Sequence, residues 1–479
     1  MLLLKLNQIL LFTLAFVTFS TTHASTDLKS GCYFDEKDKE VQLLPNTTDE
    51  RFPIASVSKV FTSVMAATNF NLRAVINSKP VRAPFSTEFF IRNITTARGK
   101  PSFHVHIKGS GDPYFNRFKM HRAISLLNER GVSEIDYLTF DENVKFVSHT
   151  DSKSGFYIGK QIVTPLTLKA EMDFPSDVLV KHQFQEFWKI LADYNKSFKS
   201  AKSVGIKMVS SPKFTVRKVD LLDSTDFRPW DDQKNFHVES QTMTTMLKMM
   251  NWNSNNYTAN RIYTISGGDS QFKDIFYTGF KVPTTMLTFV NGSGQNHDLA
   301  GSGVRVYNEA SCSVVLRAVR TLNKRVSDQG KKITDVLAVV GIDIGSTVSG
   351  AVYSNEFTKG KVVAKTGTVG TNIALAGAIN TKNGLRYFMF NVGAKQQGNI
   401  VSEHQARKII SEKLATLVKE TKDVVAFPYK PNLALMDQYG FENYDEDLVE
   451  GPSELVPPPV ISAPLSAKPP STVVLSAKK

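Results

Sequence analysis

Three short β-rich runs between Lys361 and Ala394 constrain the fold of this chain more than any other sequence feature. The runs occupy residues 362–364, 375–379 and 387–392. Turn residues at 381–384 separate the last two runs, which is typical of an antiparallel meander. The stretch 401–419 then places apolar residues at helical spacing. We therefore expect an antiparallel sheet that is covered by helices.

Two other stretches have the apolar spacing of buried helices. One begins near Pro53, and its apolar residues from Val57 to Met65 recur three and four positions apart. The other contains Met243, Met246, Met249 and Met250. We interpret these methionines as helix core rather than as a copper site or a partner surface.

The composition is that of a globular protein. Of the 479 residues, 41% are hydrophobic, which excludes disorder throughout the chain. At roughly 150 residues per domain, the length predicts two or three domains. The formal net charge of +13 favours anionic envelope polymers or a membrane surface as the counter-charge, and nucleic acid is not expected as a partner.

The N-terminal residues 1–24 have the pattern of a secretory signal peptide, with Lys5, an apolar stretch, and small residues before the expected cleavage site. No other apolar run approaches the roughly 20 residues that a membrane span needs. We therefore predict an exported protein, periplasmic or secreted, without a transmembrane segment. Its cysteines, Cys32 and Cys312, either form one disulfide or stay unpaired, and they exclude a disulfide framework or a four-thiolate zinc site.

The middle and the end of the chain differ from the rest. Residues 76–239 contain mixed short strands, a sharp turn signal at Gly109–Pro113, and a helical pattern at 182–194. This region is interpreted as an inserted domain. Residues 445–479 are rich in proline and are expected to form a disordered tail.

Ser56 and Lys59 form a Ser-x-x-Lys pair at the start of the front helix. The pattern occurs four times in the chain, close to the roughly three copies expected by chance, but only this copy lies at the opening of an apolar helix. A three-residue step places both side chains on one helix face. A lysine whose pKa is lowered by burial and by neighbouring cations can activate a serine. Ser56 is therefore a candidate nucleophile and Lys59 its candidate base.

Two further motifs could contribute polar groups to the same cleft. Lys365-Thr366-Gly367-Thr368 lies in the predicted meander, where the lysine would supply positive charge, the threonines hydroxyl groups, and the glycine room for a ligand against the backbone. Ser254-Asn255-Asn256 follows the methionine-rich helix. Asn-rich stretches are more often loops, but Ser254 and Asn256 could project together into a cleft.

The order Ser-x-x-Lys, Ser-x-Asn, Lys-Thr-Gly is the signature of penicillin-recognising serine enzymes. The chain resembles the D-alanyl-D-alanine carboxypeptidase/endopeptidase family of penicillin-binding protein 4 type, which is the class C low-molecular-mass group and peptidase family S13. Gly301-Ser302-Gly303 followed by Asn308, and the turn at Gly109–Pro113, extend the likeness.

This resemblance implies an α/β (α+β) fold. A β-lactamase/transpeptidase-like domain, with an antiparallel sheet flanked by helices, would be discontinuous over residues 25–75 and 240–430. The mixed β-rich insert at 76–239 looks smaller than that of full-length family members. Where the family commonly has Asp and Ser around Gly301–Gly303, this chain has Ala300 and Arg305, so substrate fit near that loop is expected to differ.

The resemblance also implies a serine-type hydrolase that acts on peptidoglycan stem peptides and cross-links through an acyl-enzyme on Ser56, with β-lactams as covalent inhibitors. The implied catalytic residues are Ser56, Lys59, Ser254 and Lys365. The implied substrate-binding residues are Asn256, Thr366, Gly367 and Thr368. Asn256 would hydrogen-bond the substrate amide, and the two threonines would bind the substrate carboxylate near Lys365. Backbone N–H groups of Ser56 and Thr368 would form the oxyanion hole. No cofactor is implied.

Two rival functions share the signature. A wall-binding or sensor protein would keep the fold with weak activity, and a β-lactamase would need a dedicated deacylating glutamate that we do not find in the sequence.

His104 and His106 alternate along a strand pattern, but no third ligand is evident nearby, so we predict two half-exposed histidines rather than a metal site. The sequence leaves open the oligomeric state and the balance of carboxypeptidase and endopeptidase action.

Overall fold

The described part of the chain contains two larger sheets, several small ones, and helices that pack on them. The computed structural model describes residues 28–431 except for 39, 73–74, 77–78, 81–82, 96–100, 116–122, 124–125, 142, 145, 148–161, 164–214, 231–233, 295–296, 299–304, 345, 370–371, 394, 397–398 and 401. The predicted signal peptide, the helix at 182–194, the block Gly301–Gly303 and the proline-rich tail therefore lie outside the described residues.

The strands are β1 (Ser30–Asp35), β2 (Gln42–Leu43), β3 (Phe52–Pro53), β4 (Val75–Ile76), β5 (Lys79–Pro80), β6 (Ser86–Thr95), β7 (Pro101–Lys108), β8 (Glu134–Phe140), β9 (Phe146–Val147), β10 (Ile162–Val163), β11 (Thr215–Leu221), β12 (Lys234–Glu239), β13 (Leu287–Thr288), β14 (His297–Asp298), β15 (Arg305–Val306), β16 (Glu309–Ala310), β17 (Ala338–Val339), β18 (Val362–Val369), β19 (Asn372–Thr381), β20 (Gly384–Gly393), β21 (Lys395–Gln396) and β22 (Asn399–Ile400). The helices are α1 (Ser58–Asn69), α2 (Met243–Asn253), α3 (Asn256–Ile265), α4 (Gly268–Phe272), α5 (Cys312–Asp328) and α6 (Glu403–Glu420). Ala55–Val57 and Ile333–Asp335 are 3-10 turns, and Lys273–Gly279 is a π-helical segment.

The central sheet has six strands in the order β17-β18-β19-β20-β1-β2, and every neighbouring pair is antiparallel. Strands β18, β19 and β20 form the meander that the sequence predicted. The short strand β17 pairs only with Val363 and Ala364 of β18. Among the described residues, the outer edge of β18 therefore has no strand partner from Lys365 onward.

Both faces of this sheet are buried, which explains the nearly continuous apolar runs of the meander. Ala374, Ala376 and Ala378 of β19 join the cluster that contains α1, α2 and α5. Alternate residues of the same strand, such as Leu375, point to the other face and pack against α6. The predicted sheet covered by helices is confirmed.

Other predictions about the core can be compared directly. The four methionines of α2 are all buried, so their interpretation as helix core is confirmed. Cys32 of β1 and Cys312 at the start of α5 form a disulfide, which answers the pairing question that the sequence left open. Within the described residues, no helix is both long and apolar enough to cross a membrane.

The second sheet has five strands in the order β11-β8-β7-β6-β12. Its β11-β8 and β8-β7 pairs are parallel, whereas β7-β6 and β6-β12 are antiparallel, so the sheet is mixed.

The prediction of two half-exposed histidines on β7 is wrong for His106. Its ring is fully buried and lies 2.9 Å from Thr139 Oγ1, because the rings of Phe227 and Phe90 pack against it.

Candidate active site

Ser56 and Lys59 meet at the junction between a 3-10 turn and α1. Ser56 lies in the turn, directly after Ala55, whose positive φ of 48° belongs to the left-handed region. The Lys59 Nζ atom donates to Ser56 Oγ at 2.9 Å, to Asn256 Oδ1 at 2.7 Å and to the Ser293 carbonyl at 3.0 Å. Lys59 is fully buried and Ser56 is half-buried. A half-buried hydroxyl thus contacts an amine that solvent does not reach.

The amine of Lys59 is poised to lose its proton easily. Burial, and secondly the positive charge of Lys365, hold the pKa of Lys59 well below the ordinary value of a lysine. A neutral amine beside a serine hydroxyl can accept the serine proton, so this pair has the geometry and the electrostatics of a nucleophile and its base.

Ser254 and Lys365 form a second hydroxyl–amine pair in the same region. Lys365 Nζ donates to Ser254 Oγ at 2.9 Å and to the Thr366 carbonyl at 2.8 Å. Burial, and secondly the charge of Arg407, lower the pKa of Lys365 to about 7. Ser254 ends α2 in the left-handed conformation with φ of 57°, and this reversal separates α2 from α3.

The position of α2 is set by a buried ion pair that the sequence analysis did not find. Lys248 Nζ lies 2.6 Å from Asp343 Oδ2 and also donates to the carbonyls of Thr334 and Leu337. One turn later, Asn251 Nδ2 donates to Ser63 Oγ of α1 at 3.0 Å. These contacts fix the end of α2, where Ser254 lies, relative to α1 and β17.

Asn256 is the first residue of α3, and the Asn255 side chain caps this helix by accepting from the Thr258 N–H at 3.0 Å. This cap starts α3 directly after Ser254. The Oδ1 atom of Asn256 faces Lys59 as a result. Direct contacts thus join Ser56, Lys59 and Asn256 in one set and Ser254 and Lys365 in another, and the charge of Lys365 acts on Lys59 across the two.

The third motif is divided between the two faces of β18. A Cβ atom at Gly367 would lie 2.5 Å from the Ile54 carbonyl and 3.2 Å from the Val57 nitrogen. The protein's own Ser56 turn therefore fills the space that the sequence analysis assigned to a ligand, and the glycine is required for close backbone approach.

Thr366 and Thr368 point to the opposite face, toward α6. Thr366 is buried, whereas Thr368 is exposed and its Oγ1 accepts from Arg407 Nη2 at 3.0 Å. The structure thus brings only one of the two predicted threonine hydroxyls to an exposed position, and it adds Arg407, which sequence reasoning missed.

The backbone of β18 offers a donor at the open edge of the sheet. The Val362 carbonyl accepts from Val340 on the β17 side, whereas the Lys361 carbonyl accepts from Asn380 on the other side. Because backbone direction alternates along a regular strand, the N–H of Thr368 points to the β17 side. There β17 has ended, so this N–H lies at the open edge beside Lys365.

A glycine-rich loop before β14 also contacts the site. The carbonyls of Gly292 and Ser293 accept from Thr62 at 2.7 Å and from Lys59 at 3.0 Å. A Cβ atom at Gly294, whose φ is 73°, would lie 1.8 Å from the Ala55 carbonyl. Asn308 holds this loop by accepting from the N–H groups of Val290 and Asn291.

The chain contains two Gly-Ser-Gly copies, and the later one at 301–303, on which the family resemblance rests, lies outside the described residues. The earlier copy at 292–294 is the one that the structure places against Lys59. The sequence signal that favoured the earlier copy was Asn291, the polar residue directly before it. Asp or Asn before a tight turn commonly stabilises the turn with its side chain.

Comparisons with known proteins agree with this geometry. The model of the D-Ala-D-Ala carboxypeptidase 3 (S13) family matches residues 227–412. Among solved structures, Bd3459, a predatory peptidoglycan endopeptidase from Bdellovibrio bacteriovorus, is 27% identical with a TM-score of 0.66, and the alignment covers 85% of this chain and 96% of that one. Bd0816, a predatory endopeptidase from the same organism, is also 27% identical, with a TM-score of 0.68 and coverage of 85% and 97%.

A more distant structure, penicillin binding protein 4 from Haemophilus influenzae, shares the fold at 13% identity, with a TM-score of 0.50 over 81% of this chain and 96% of that one. No curated protein sequence matches the chain. The chain is thus similar to the D-Ala-D-Ala carboxypeptidase 3 (S13) family over residues 227–412, and to the two Bdellovibrio endopeptidases over 85% of its length.

Proposed function

We propose that the protein hydrolyses peptidoglycan stem peptides and cross-links at D-alanine peptide bonds, through an acyl-enzyme on Ser56. The contact between Lys59 Nζ and Ser56 Oγ, at 2.9 Å inside a site that also contains the Ser254–Lys365 pair, carries this proposal. A buried amine with a lowered pKa can take the proton that makes Ser56 a nucleophile.

In the first step, Ser56 Oγ attacks the carbonyl carbon of the scissile amide while its proton moves to a neutral Lys59. The oxygen of the tetrahedral intermediate gains negative charge, and the N–H groups of Ser56 and Thr368 stabilise it. Ser254, bonded to Lys365, passes a proton to the departing nitrogen as the C–N bond breaks. Water then hydrolyses the ester and regenerates Ser56.

The proposed partners follow from the same site. The relative Bd3459 is a peptidoglycan endopeptidase, and one of its structures contains the enzyme acylated by penicillin G. We assign peptidoglycan as the substrate and β-lactams as covalent inhibitors of this chain by that likeness. The Cys32–Cys312 disulfide is consistent with function in an oxidising compartment outside the cytoplasm, as the export signal at 1–24 predicts.

The experiment compares wild type, Ser56→Ala and Ser349→Ala on intact cross-linked sacculi, with product separation, and on a fluorescent penicillin. Ser349 is a half-buried serine of the 346–350 turn and serves as the control. We expect wild type and Ser349→Ala to release D-alanine or cleaved cross-links and to retain the label, whereas Ser56→Ala does neither.

Activity that survives Ser56→Ala would overturn the nucleophile assignment. Rapid release of hydrolysed penicillin would identify a β-lactamase instead. Binding of sacculi by a wild-type protein that cleaves neither substrate would identify a wall-binding protein.

A further inference from the structure

We propose that Arg407 is a specificity-determining residue that, together with the Thr368 hydroxyl, binds the carboxylate on the residue that leaves from the scissile bond. This inference rests on the proposed function and adds Arg407 to the residues that recognise the substrate carboxylate. It assigns a role to α6, a helix outside all three sequence motifs.

Lys365 is not accessible to a substrate carboxylate. The resemblance implied that a substrate carboxylate binds near this lysine, but Lys365 is 0% exposed. Its Nζ atom already donates to Ser254 Oγ and to the Thr366 carbonyl. The Thr366 side chain is buried as well. A carboxylate that approaches from solvent therefore does not reach the charge of Lys365 directly.

Arg407 supplies a positive charge that is accessible where Thr368 is exposed. The Arg407 side chain is 25% exposed, and its Nη2 atom lies 3.0 Å from Thr368 Oγ1. Thr368 also carries the N–H that points to the open edge of β18. A substrate peptide bound at that edge would place the residue that follows its scissile amide close to both the Thr368 hydroxyl and Arg407.

Neighbouring residues hold the guanidinium in place. Glu403, one turn earlier on α6, accepts from the Nε and Nη2 atoms of Arg407 at 3.0 and 2.5 Å. The buried ring of Tyr353 also lies near Arg407. Burial raises the pKa of Tyr353, and the positive charge of Arg407 opposes this rise. Arg407 is thus held in place before substrate arrives, and a substrate carboxylate would replace Glu403 or Thr368 as an acceptor of its hydrogen bonds.

Arg407 is also within electrostatic reach of the catalytic groups, because its charge contributes to the lowered pKa of Lys365. Glu403 is 57% exposed and carries the same charge as the substrate carboxylate. It therefore orders Arg407 and competes for it at the same time, so its removal and the removal of Arg407 should change carboxylate recognition in opposite directions.

The test uses two peptide substrates that differ only at the end of the leaving residue: diacetyl-Lys-D-Ala-D-Ala with its free carboxylate, and the same peptide as the C-terminal carboxamide. We expect wild type to prefer the carboxylate. Arg407→Gln should lower kcat/KM for the carboxylate roughly ten- to a hundredfold, as for loss of a charged hydrogen bond, and should change the carboxamide value less than threefold.

Matched variants separate recognition from folding and from net charge. Arg407→Lys should restore part of the carboxylate preference. Lys408→Gln removes one charge from the adjacent, more exposed residue of α6 and should leave the preference unchanged. Glu403→Gln should raise the carboxylate-to-carboxamide ratio. Any change in the pKa of Lys365 acts on both peptides alike and cancels in this ratio.

A carboxylate-to-carboxamide ratio in Arg407→Gln equal to that of wild type would overturn the inference. If Arg407→Gln fails to fold by circular dichroism, an unchanged ratio in both Arg407→Lys and Glu403→Gln overturns it in the same way. A wild-type enzyme that cleaves neither peptide and is not acylated by penicillin overturns the proposed function itself, and this inference with it.

Discussion

The Nζ atom of Lys365 lies 2.9 Å from the Oγ atom of Ser254, although the two residues are 111 positions apart in the chain. Lys365 reaches this position from a strand, whereas Ser254 reaches it from the end of a helix that a buried ion pair holds in place. The contact places a second hydroxyl beside the Ser56–Lys59 pair. In the proposed mechanism, this contact provides a proton route to the leaving nitrogen that is separate from the base.

Ser254→Ala is expected to lower kcat by about 10²- to 10⁴-fold, because the route for general acid catalysis is lost while the nucleophile and its base remain. Ser266→Ala is the matched control, since Ser266 caps the C-terminus of α3 as Ser254 caps that of α2. Steady-state hydrolysis of the D-Ala-D-Ala peptide measures the effect. A Ser254→Ala enzyme within threefold of wild type would exclude the proton relay.

The rate of acylation should rise with pH because only a neutral Lys59 can take the Ser56 proton. Burial and Lys365 lower the pKa of Lys59, so this rise should occur well below the pH at which an exposed lysine loses its proton. The rate constant for acylation by a fluorescent penicillin, measured from pH 5 to pH 10, checks this expectation. A rise centred near pH 10, or no rise at all, would argue against Lys59 as the base.

Gly367→Ala should impair both stability and acylation, because its Cβ atom would lie 2.5 Å from the Ile54 carbonyl and push the Ser56 turn away from β18. Gly350→Ala is the control, since nothing lies within 4 Å of a Cβ atom at that position. We expect a loss of about 1–3 kcal/mol in unfolding free energy for Gly367→Ala, as for overpacking of a core. Urea unfolding of both variants measures it, and equal stabilities would contradict the close approach.

Loss of the Cys32–Cys312 disulfide should destabilise the protein strongly, because the bond closes a loop between residues 280 positions apart. Loop-closure entropy predicts an effect of up to about 5 kcal/mol on the free energy of unfolding. Denaturant unfolding of Cys32→Ala/Cys312→Ala, compared with wild type with and without reductant, tests this. If the double variant matches oxidised wild type, the bond does not contribute to stability.

Mild acid should destabilise the protein through His106. Burial, and secondly the charge of Lys108, hold the pKa of His106 at about 4, below the ordinary value of 6.5. Between these two values the unfolded chain binds a proton that the folded protein excludes, so stability is full above about pH 6.5 and falls as the pH drops toward 4.

Unfolding free energies of wild type and His106→Gln at pH 7.0 and pH 5.0 test this contribution. The difference between the two pH values should be smaller in His106→Gln. His237→Gln, which changes a half-exposed histidine on β12, should keep the wild-type difference. Equal pH dependence in wild type and His106→Gln would show that His106 does not contribute.

Local sequence patterns determined the meander, α1, α2 and α6, because the periods of two and 3.6 depend only on residues that are close in the chain. The order of three short motifs was sufficient to select Ser56, Lys59, Ser254, Lys365 and Asn256. Their contacts could be expected because two of the motifs lie at the ends of helices and the third lies on a strand of the meander, where a side chain can face a cleft.

Only the tertiary structure decided the remaining features. The Arg407–Thr368 contact, the Lys248–Asp343 ion pair, the position of Gly292–Gly294 against Lys59, and the Cys32–Cys312 bond each join residues far apart in the chain. No periodicity links such residues, since their distance depends on how whole elements pack. The same reason explains why Gly367 faces the Ser56 turn and His106 is buried: the neighbours of a strand residue come from other segments of the chain.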